Sequence, residues 1–276
     1  MNIFIDTDFE PDDALAIKEI FNMRDEEENG SLTVCVGESV YPAKKLAEVQ
    51  AFIDALQYSH RNPFPVVTIF AGLPSTQDYP YAPQQGDHPI TNDALTLHAQ
   101  HMATAELYFL FKPPRELMAN TDLDLKHVRA MAYGGFNFRT LGLSTAEMQG
   151  FMTRFDLFYY FDSFSTVGSN NSHNFRPHPI GGPVNHMIVN LITRWNTHVI
   201  EDCQLDEKII ASGLHSQFVL ADVCVVMSPS APSVPVRLVQ VDPYPTWERD
   251  ENSTIFVFMD GEEEKKQRRE FIVGSC

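Results

Sequence analysis

Four aspartates crowd one short segment near the start of the chain, IDTDFEPDDALAI. Asp12 and Asp13 open a predicted helix, where free backbone N–H groups and the helix dipole stabilise negative charge. Capping does not account for Asp6 and Asp8, which end the preceding predicted strand and add negative charge to the same place. A hard cation held by carboxylate oxygens would offset that charge. The segment therefore predicts a metal site, with a capping role alone as the alternative.

The acidic turn joins the first strand to the first helix of a regularly alternating chain. Apolar runs predict strands at residues 2–7, 32–36, 66–70, 106–111, 128–133, 236–241, 254–258 and 271–273. Helical spacing of apolar residues predicts helices at 12–21, 43–58 and 91–103. The alternation predicts an α/β protein with a mostly parallel central sheet flanked by helices.

Polar residues follow several of these strands. In parallel sheets of this kind, ligands bind beyond the carboxyl ends of the strands. Asp6 and Asp8 follow the first strand, Glu38 follows the second, and residues 112–115 and 134–137 follow two later ones. We therefore expect all of them to lie along one rim of the sheet.

Composition narrows the choice of partners. The 276 residues, taken as a single domain over 1–276, carry a net charge of −17, which repels phosphate backbones and anionic lipid surfaces. The longest apolar run, residues 218–227, is interrupted by Asp222 and is shorter than the roughly 20 residues that cross a bilayer. We expect no nucleic-acid or membrane partner and, without a basic segment before the first strand, a cytoplasmic protein.

The acidic segment resembles the DTDxGxDDxxAI signature of the inosine-uridine-preferring nucleoside hydrolase family. Further segments are similar to later motifs of that family, in the same order: CVGES, FAGLPS, LYFLFKPPREL, HVRAMAYGGFNF, RFDLFYYFDSF and LHSQFVLADVCVVMSP. The resemblance implies a Rossmann-like fold, a bound Ca²⁺, and hydrolysis of the N-glycosidic bond of a ribonucleoside. It also implies association into homo-oligomers.

The signature assigns roles within the acidic turn. By position, Asp8 corresponds to the catalytic base and a Ca²⁺ ligand, Asp13 to another Ca²⁺ ligand, and Asp12 to a residue that binds ribose hydroxyls. The resemblance also matches three later positions to substrate-binding residues: Glu38, Asn137 and Asp156.

The remaining Ca²⁺ ligands and the acid fall in two later motifs. The resemblance implies a backbone carbonyl ligand at Arg115 and a further ligand at Ser216, where the family has Thr and Asp. His215 corresponds to the residue that protonates the departing base, which suits a side chain whose ordinary pKa is near neutrality. A structural bond at a helix end is the alternative for His215.

Departures from the family's pattern keep other functions open. Ser216 offers Ca²⁺ a neutral hydroxyl in place of a charged ligand, and Phe158 stands where the family has a ribose-binding Asn. Arg115 could supply the positive charge that Ca²⁺ provides in the family. The alternative function is a relative that binds a nucleoside or sugar-like ligand without turnover. An Mg²⁺-dependent hydrolase of phosphate compounds is a further possibility, for which no phosphate-cradling motif is present.

Overall fold

The protein is described from a computed structural model, which covers residues 1–24, 29–37, 42–73, 93–133, 138, 141–161, 182–202, 233–241 and 245–258. The strands are β1 (Ile3–Thr7), β2 (Ser31–Val36), β3 (Val66–Ala71), β4 (Leu107–Leu110), β5 (Leu125–Tyr133), β6 (Phe155–Phe161), β7 (Ser233–Gln240), β8 (Thr246–Arg249) and β9 (Ile255–Phe258). The helices are α1 (Pro11–Asn22), α2 (Pro42–Ser59), α3 (Asp93–Met102), α4 (Arg115–Ala119), α5 (Thr145–Met152) and α6 (Gly182–Asp202).

All nine described strands belong to one sheet, in the order β3-β2-β1-β4-β5-β6-β9-β7-β8. Every pairing from β3 to β9 is parallel, and β7 runs antiparallel to both β9 and β8. The predicted α/β class with a mostly parallel sheet is therefore confirmed. None of the described helices is long and apolar enough to cross a membrane.

Helices cover the central strands on both faces. Ile3 and Ile5 of β1 belong to one apolar cluster, which α1, α2 and α6 complete. Phe4 belongs to a second cluster on the other face, which includes residues of α3, α4 and α5. Because side chains alternate along a strand, Asp6 shares the face of Phe4. A carboxylate is thus directed under α3 and α4 by the pleat of β1.

The carboxyl ends of three central strands lie side by side. The N–H of Gly37, just after β2, donates to the carbonyl of Thr7 at 2.9 Å. On the other side of β1, the N–H of Phe111, just after β4, donates to the carbonyl of Asp6 at 2.9 Å. The segments that follow β1, β2 and β4 therefore begin at one edge of the sheet.

Some elements do not follow the patterns on which sequence reasoning relied. β6 is an almost continuous aromatic run, FDLFYYF, without the alternation of a half-buried strand. α4 has only 5 residues, too few to show helical periodicity. α5 begins at a capping box, in which Ser144 and Glu147 satisfy each other's backbone N–H groups. The predicted strand at 271–273 lies outside the described residues.

Phe158 lies in the core of the sheet and not at a ligand-binding rim. Its side chain is fully buried. Its ring centroid is 5.4 Å from that of Phe155 and 6.0 Å from that of Phe151, on α5. The match of Phe158 to a ribose-binding position is therefore wrong, and this aromatic residue does not count against a functional site.

We expect Phe158→Ala to lower the free energy of unfolding by about 3–5 kcal/mol, because it leaves a cavity among packed rings. Tyr58→Ala is the matched control, since Tyr58 is 94% exposed, and it should change stability by less than about 0.5 kcal/mol. Urea unfolding followed by circular dichroism measures both. Equal small losses in the two variants would contradict the placement of Phe158.

Candidate functional site

The acidic turn is held in shape by hydrogen bonds to Asp13. The hydroxyl of Thr7 donates to Oδ2 of Asp13, and the N–H of Phe9 donates to the same oxygen at 2.8 Å. Phe9 has φ of 55°, in the left-handed region that side chains other than glycine adopt at a cost. Its buried ring packs against Phe52 of α2 at 5.4 Å between centroids. Packing and hydrogen bonds together hold this sharp reversal between β1 and α1.

Four carboxylates surround the turn. Asp8 and Asp13 are buried, and Glu10 and Asp12 are partly exposed. Burial and the charge of Asp8 raise the pKa of Glu10 to about 8, against a lowering by Lys45. Burial, Glu10 and Asp8 likewise raise the pKa of Asp12 well above its usual value. Burial and the neighbouring carboxylates therefore favour the protonated forms of Glu10 and Asp12.

Glu10 is a residue that the sequence reasoning missed. It stands at the position of the glycine in the resembled signature, and it is the N-cap residue of α1 without a capping hydrogen bond from its side chain. The donors of the turn are carboxylate oxygens, which is the donor type that Ca²⁺ prefers. The described residues thus fit a hard cation, and Glu10 enlarges the set of candidate ligands.

Arg115, although far from this turn in the sequence, follows a segment that pairs with the end of β1. It is the first residue of α4 and follows Phe111 by four positions, and Phe111 pairs with the end of β1. The side chain of Arg115 is half-buried. The backbone at Arg115 is therefore on the expected edge of the sheet.

A second group of polar side chains lies beneath the turn, on the α3 and α4 face. Asp6 is fully buried, and its Oδ2 lies 3.1 Å from Nε2 of His98. The hydroxyl of Tyr108 donates to the same oxygen. Nζ of Lys112 lies 3.7 Å from Oδ1 of Asp6 and donates to the carboxylate of Glu116. Both Lys112 and Glu116 are also fully buried.

The charges of this buried group are mutually stabilised. Burial raises the pKa of Asp6, but Lys112, His98 and Tyr108 outweigh it and hold that pKa well below its usual range. Burial lowers the pKa of Lys112, but Asp6 and Glu116 outweigh it and raise the pKa above its usual value. An ammonium between two carboxylates is therefore the stable charge state.

Two glycines leave space for the side chains of this buried group. A Cβ at Gly37 would lie 2.9 Å from both Cε and Nζ of Lys112. A Cβ at Gly72 would collide with Oε1 of Glu116 and lie 2.7 Å from Sγ of Cys35. The next residue, Leu73, donates its N–H to Oε1 of Glu116 at 2.7 Å. The ends of β2 and β3 are thus shaped around the Lys112–Glu116 pair.

The buried group also contains a set of possible metal ligands. Donor atoms of Asp6, Cys35 and His98 lie within 4.8 Å of one another, close enough to hold a metal ion. This set differs from the predicted Ca²⁺ ligands. Burial, Asp6 and Glu116 raise the pKa of Cys35 well above its usual value, which favours the protonated thiol.

The structure brings together some of the predicted site residues and separates one from them. Asp8, Asp12 and Asp13 share the acidic turn. Asp156 is exposed and is the second residue of β6, at the amino end of the strands. Its neighbour Leu157 pairs with Arg129, which is in register with Leu107 of β4 and, through it, with Ile3. Ile3 is the first residue of β1. Asp156 therefore does not reach the turn, because the motif match placed it at the wrong end of its strand.

Four predicted site residues lie outside the described part of the chain: Glu38, Asn137, His215 and Ser216. Lys112 was expected along the rim as one of residues 112–115, whereas its pairing with a buried Glu116 was missed. A sequence signal for the pairing exists, since a lysine directly after an apolar strand and a glutamate four positions later form an i,i+4 pair. Burial of that pair is what the sequence does not reveal.

Comparison with known proteins supports the architecture. A solved inosine-guanosine nucleoside hydrolase matches over 99% of this chain and 98% of its own, with a TM-score of 0.55 and 14% sequence identity. The chain has a nucleoside hydrolase fold. No protein-family model matches the sequence, and no curated protein resembles it. In this chain, Asp8, Asp12 and Asp13 follow the carboxyl end of a central strand, β1.

We expect Tyr108→Phe to lower the free energy of unfolding by about 1.5–3 kcal/mol, because it removes a hydrogen bond to the ionised, buried Asp6. Tyr58→Phe removes a hydroxyl from an exposed ring and should leave stability unchanged. Paired urea titrations compare the two variants. If Tyr108→Phe were as stable as the wild type, the hydroxyl would not support Asp6.

Proposed function

We propose that this protein hydrolyses the N-glycosidic bond of a ribonucleoside. The observation that carries the proposal is the grouping of Asp8, Asp12 and Asp13 at the carboxyl end of β1, in a nucleoside hydrolase fold. That edge is where parallel sheets bind their ligands.

Each acidic residue has a distinct part in the proposed reaction. Asp8 accepts a proton from the water that attacks the anomeric carbon, and Asp12 orients the ribose hydroxyls. Asp13 is held by Thr7 and Phe9 and fixes the geometry of the turn. Positive charge develops on the sugar as the bond to the base breaks, and carboxylates stabilise it. His215 protonates the departing base, while Glu38 and Asn137 contact the substrate.

We further propose that Ca²⁺ is bound by Asp8, Asp13, the carbonyl of Arg115 and Ser216. A cation in that position supplies positive charge that makes a water easier to deprotonate. The charge of Asp8 raises the pKa of Glu10, and the charge of Glu10 raises the pKa of Asp12, so the three carboxylates are near one another. We include Glu10 as a ligand that offsets the charge lost where Ser216 replaces an aspartate.

The second candidate function is binding of a nucleoside or sugar-like ligand without turnover. Lys112, just after β4, favours it, because its buried ammonium already neutralises the carboxylates of Asp6 and Glu116. Such a charge opposes a divalent cation placed nearby. Ligand binding alone does not require that cation.

We expect the protein to release free base from at least one nucleoside in a panel of purine, pyrimidine and modified substrates, with Ca²⁺ present. Asp8→Asn should slow release by at least a hundredfold, the lower range for loss of a general base. Asp156→Asn is the matched control, because Asp156 lies at the far end of the sheet, and it should retain full activity. Chromatography of the free base measures release.

Release of free base that is unchanged both by chelator and by Asp8→Asn would contradict the proposed mechanism. Absence of release from every nucleoside, with saturable binding of one of them in calorimetry, would establish the second candidate.

We also expect Ca²⁺ to raise the melting temperature of the wild type, because a cation that binds only the folded state stabilises it. The shift should vanish in Asp13→Asn and persist in Asp156→Asn. Differential scanning calorimetry with Ca²⁺ or chelator measures it. An equal shift in both variants would show that the cation binds elsewhere.

A further inference from the structure

Six fully buried side chains meet beneath the acidic turn: Asp6, Cys35, His98, Tyr108, Lys112 and Glu116. None of them is needed as a reacting group in the proposed hydrolysis. A buried cluster of this kind is costly unless its charges and polar atoms are matched. Its composition therefore calls for an explanation of its own.

Four of these side chains resemble the ligand set of a transition metal. Donor atoms of Asp6, Cys35 and His98 lie within 4.8 Å of one another. Oε1 of Glu116 lies 4.0 Å from Sγ of Cys35 and adds another donor. Oxygen, sulfur and nitrogen donors in one buried site suit Zn²⁺ and similar ions.

Two polar atoms of this set are left without a hydrogen bond among the described residues. They are Oδ1 of Asp6 and Nδ1 of His98, and both are buried. Nζ of Lys112 lies 3.7 Å from that Asp6 oxygen and donates to Glu116. The ammonium is therefore the positive charge that faces both carboxylates.

We propose that Lys112 fills a latent transition-metal site, its ammonium taking the place of a divalent ion among Asp6, Cys35, His98 and Glu116. We expect the wild type to bind no metal here, because Nζ of Lys112 already compensates the carboxylates of Asp6 and Glu116. Removing the side chain of Lys112 beyond Cβ opens the site. Cys35 then binds as a thiolate, and its proton passes to solvent.

The neighbouring backbone leaves room for this exchange. Cδ, Cε and Nζ of Lys112 all lie against Gly37, which has no side chain to fill the space they would vacate. We therefore expect Lys112→Ala to vacate a space beside the carboxylates of Asp6 and Glu116. A metal ion entering it restores the positive charge that the variant has lost.

The experiment titrates Co²⁺ into the full-length wild type, Lys112→Ala and Lys112→Ala/Cys35→Ser, and records absorption spectra. We expect Lys112→Ala to bind one equivalent with a sulfur-to-cobalt charge-transfer band. The band should be absent from the wild type and from the Cys35→Ser double variant. The acidic turn contains no cysteine, so this band separates the latent site from any cation bound there and from the hydrolase proposal.

Thermal unfolding gives a second readout. Without metal, Lys112→Ala should melt about 6–20 °C below the wild type, since it breaks a buried ion pair. Zn²⁺ should restore most of that loss. Lys126→Ala is the control, because Lys126 is exposed, and it should show neither the loss nor the restoration.

If Lys112→Ala does not fold, the double variant Lys112→Ala/Glu116→Gln replaces it in the Co²⁺ titration. It removes one of the two facing carboxylates and keeps Asp6, Cys35 and His98 as ligands, so the charge-transfer band should remain. A charge-transfer band in the wild type would overturn the proposal, as would folded variants lacking Lys112 that bind no metal through Cys35.

Discussion

The ionised carboxylate of Asp6 is the constraint on which this end of the sheet depends. The pleat of β1 turns Asp6 into the interior, where an uncompensated charge costs several kcal/mol. Lys112 after β4, His98 from α3 and Tyr108 within β4 approach the same carboxylate. Residues of α3, of β4 and of the segment just after β4, all far from β1 in the sequence, are therefore fixed against the strand that leads into the acidic turn.

This buried group and the acidic turn have separate roles in the site. Asp6 and Thr7 are adjacent on β1 and face opposite sides of the sheet. Thr7 bonds Asp13 and so shapes the turn, while Asp6 holds the strand from below. The carboxylates at the rim are thereby positioned by contacts that a ligand does not touch. A rigid base of this kind is what a binding or catalytic constellation requires.

Much of the fold could be predicted because its dominant pattern is local. Short apolar runs alternating with amphipathic helices placed β1, β2, β3, α1 and α2 within one or two residues of their observed bounds. β6 and α4 were not predicted, since an unbroken aromatic run and a single helical turn show no periodicity. For the site, the clustered aspartates were visible in the sequence. The burial of Lys112 and the far position of Asp156 depend on strand register, which no short segment encodes.

The close approach of Lys112 to Gly37 couples these two positions. A Cβ at position 37 would lie 2.9 Å from Cε and Nζ of Lys112, so a side chain there requires the end of the lysine to shift. That end is the part of Lys112 that meets Asp6 and Glu116. A substitution at Gly37 therefore acts on the buried ion pairs without contacting either carboxylate.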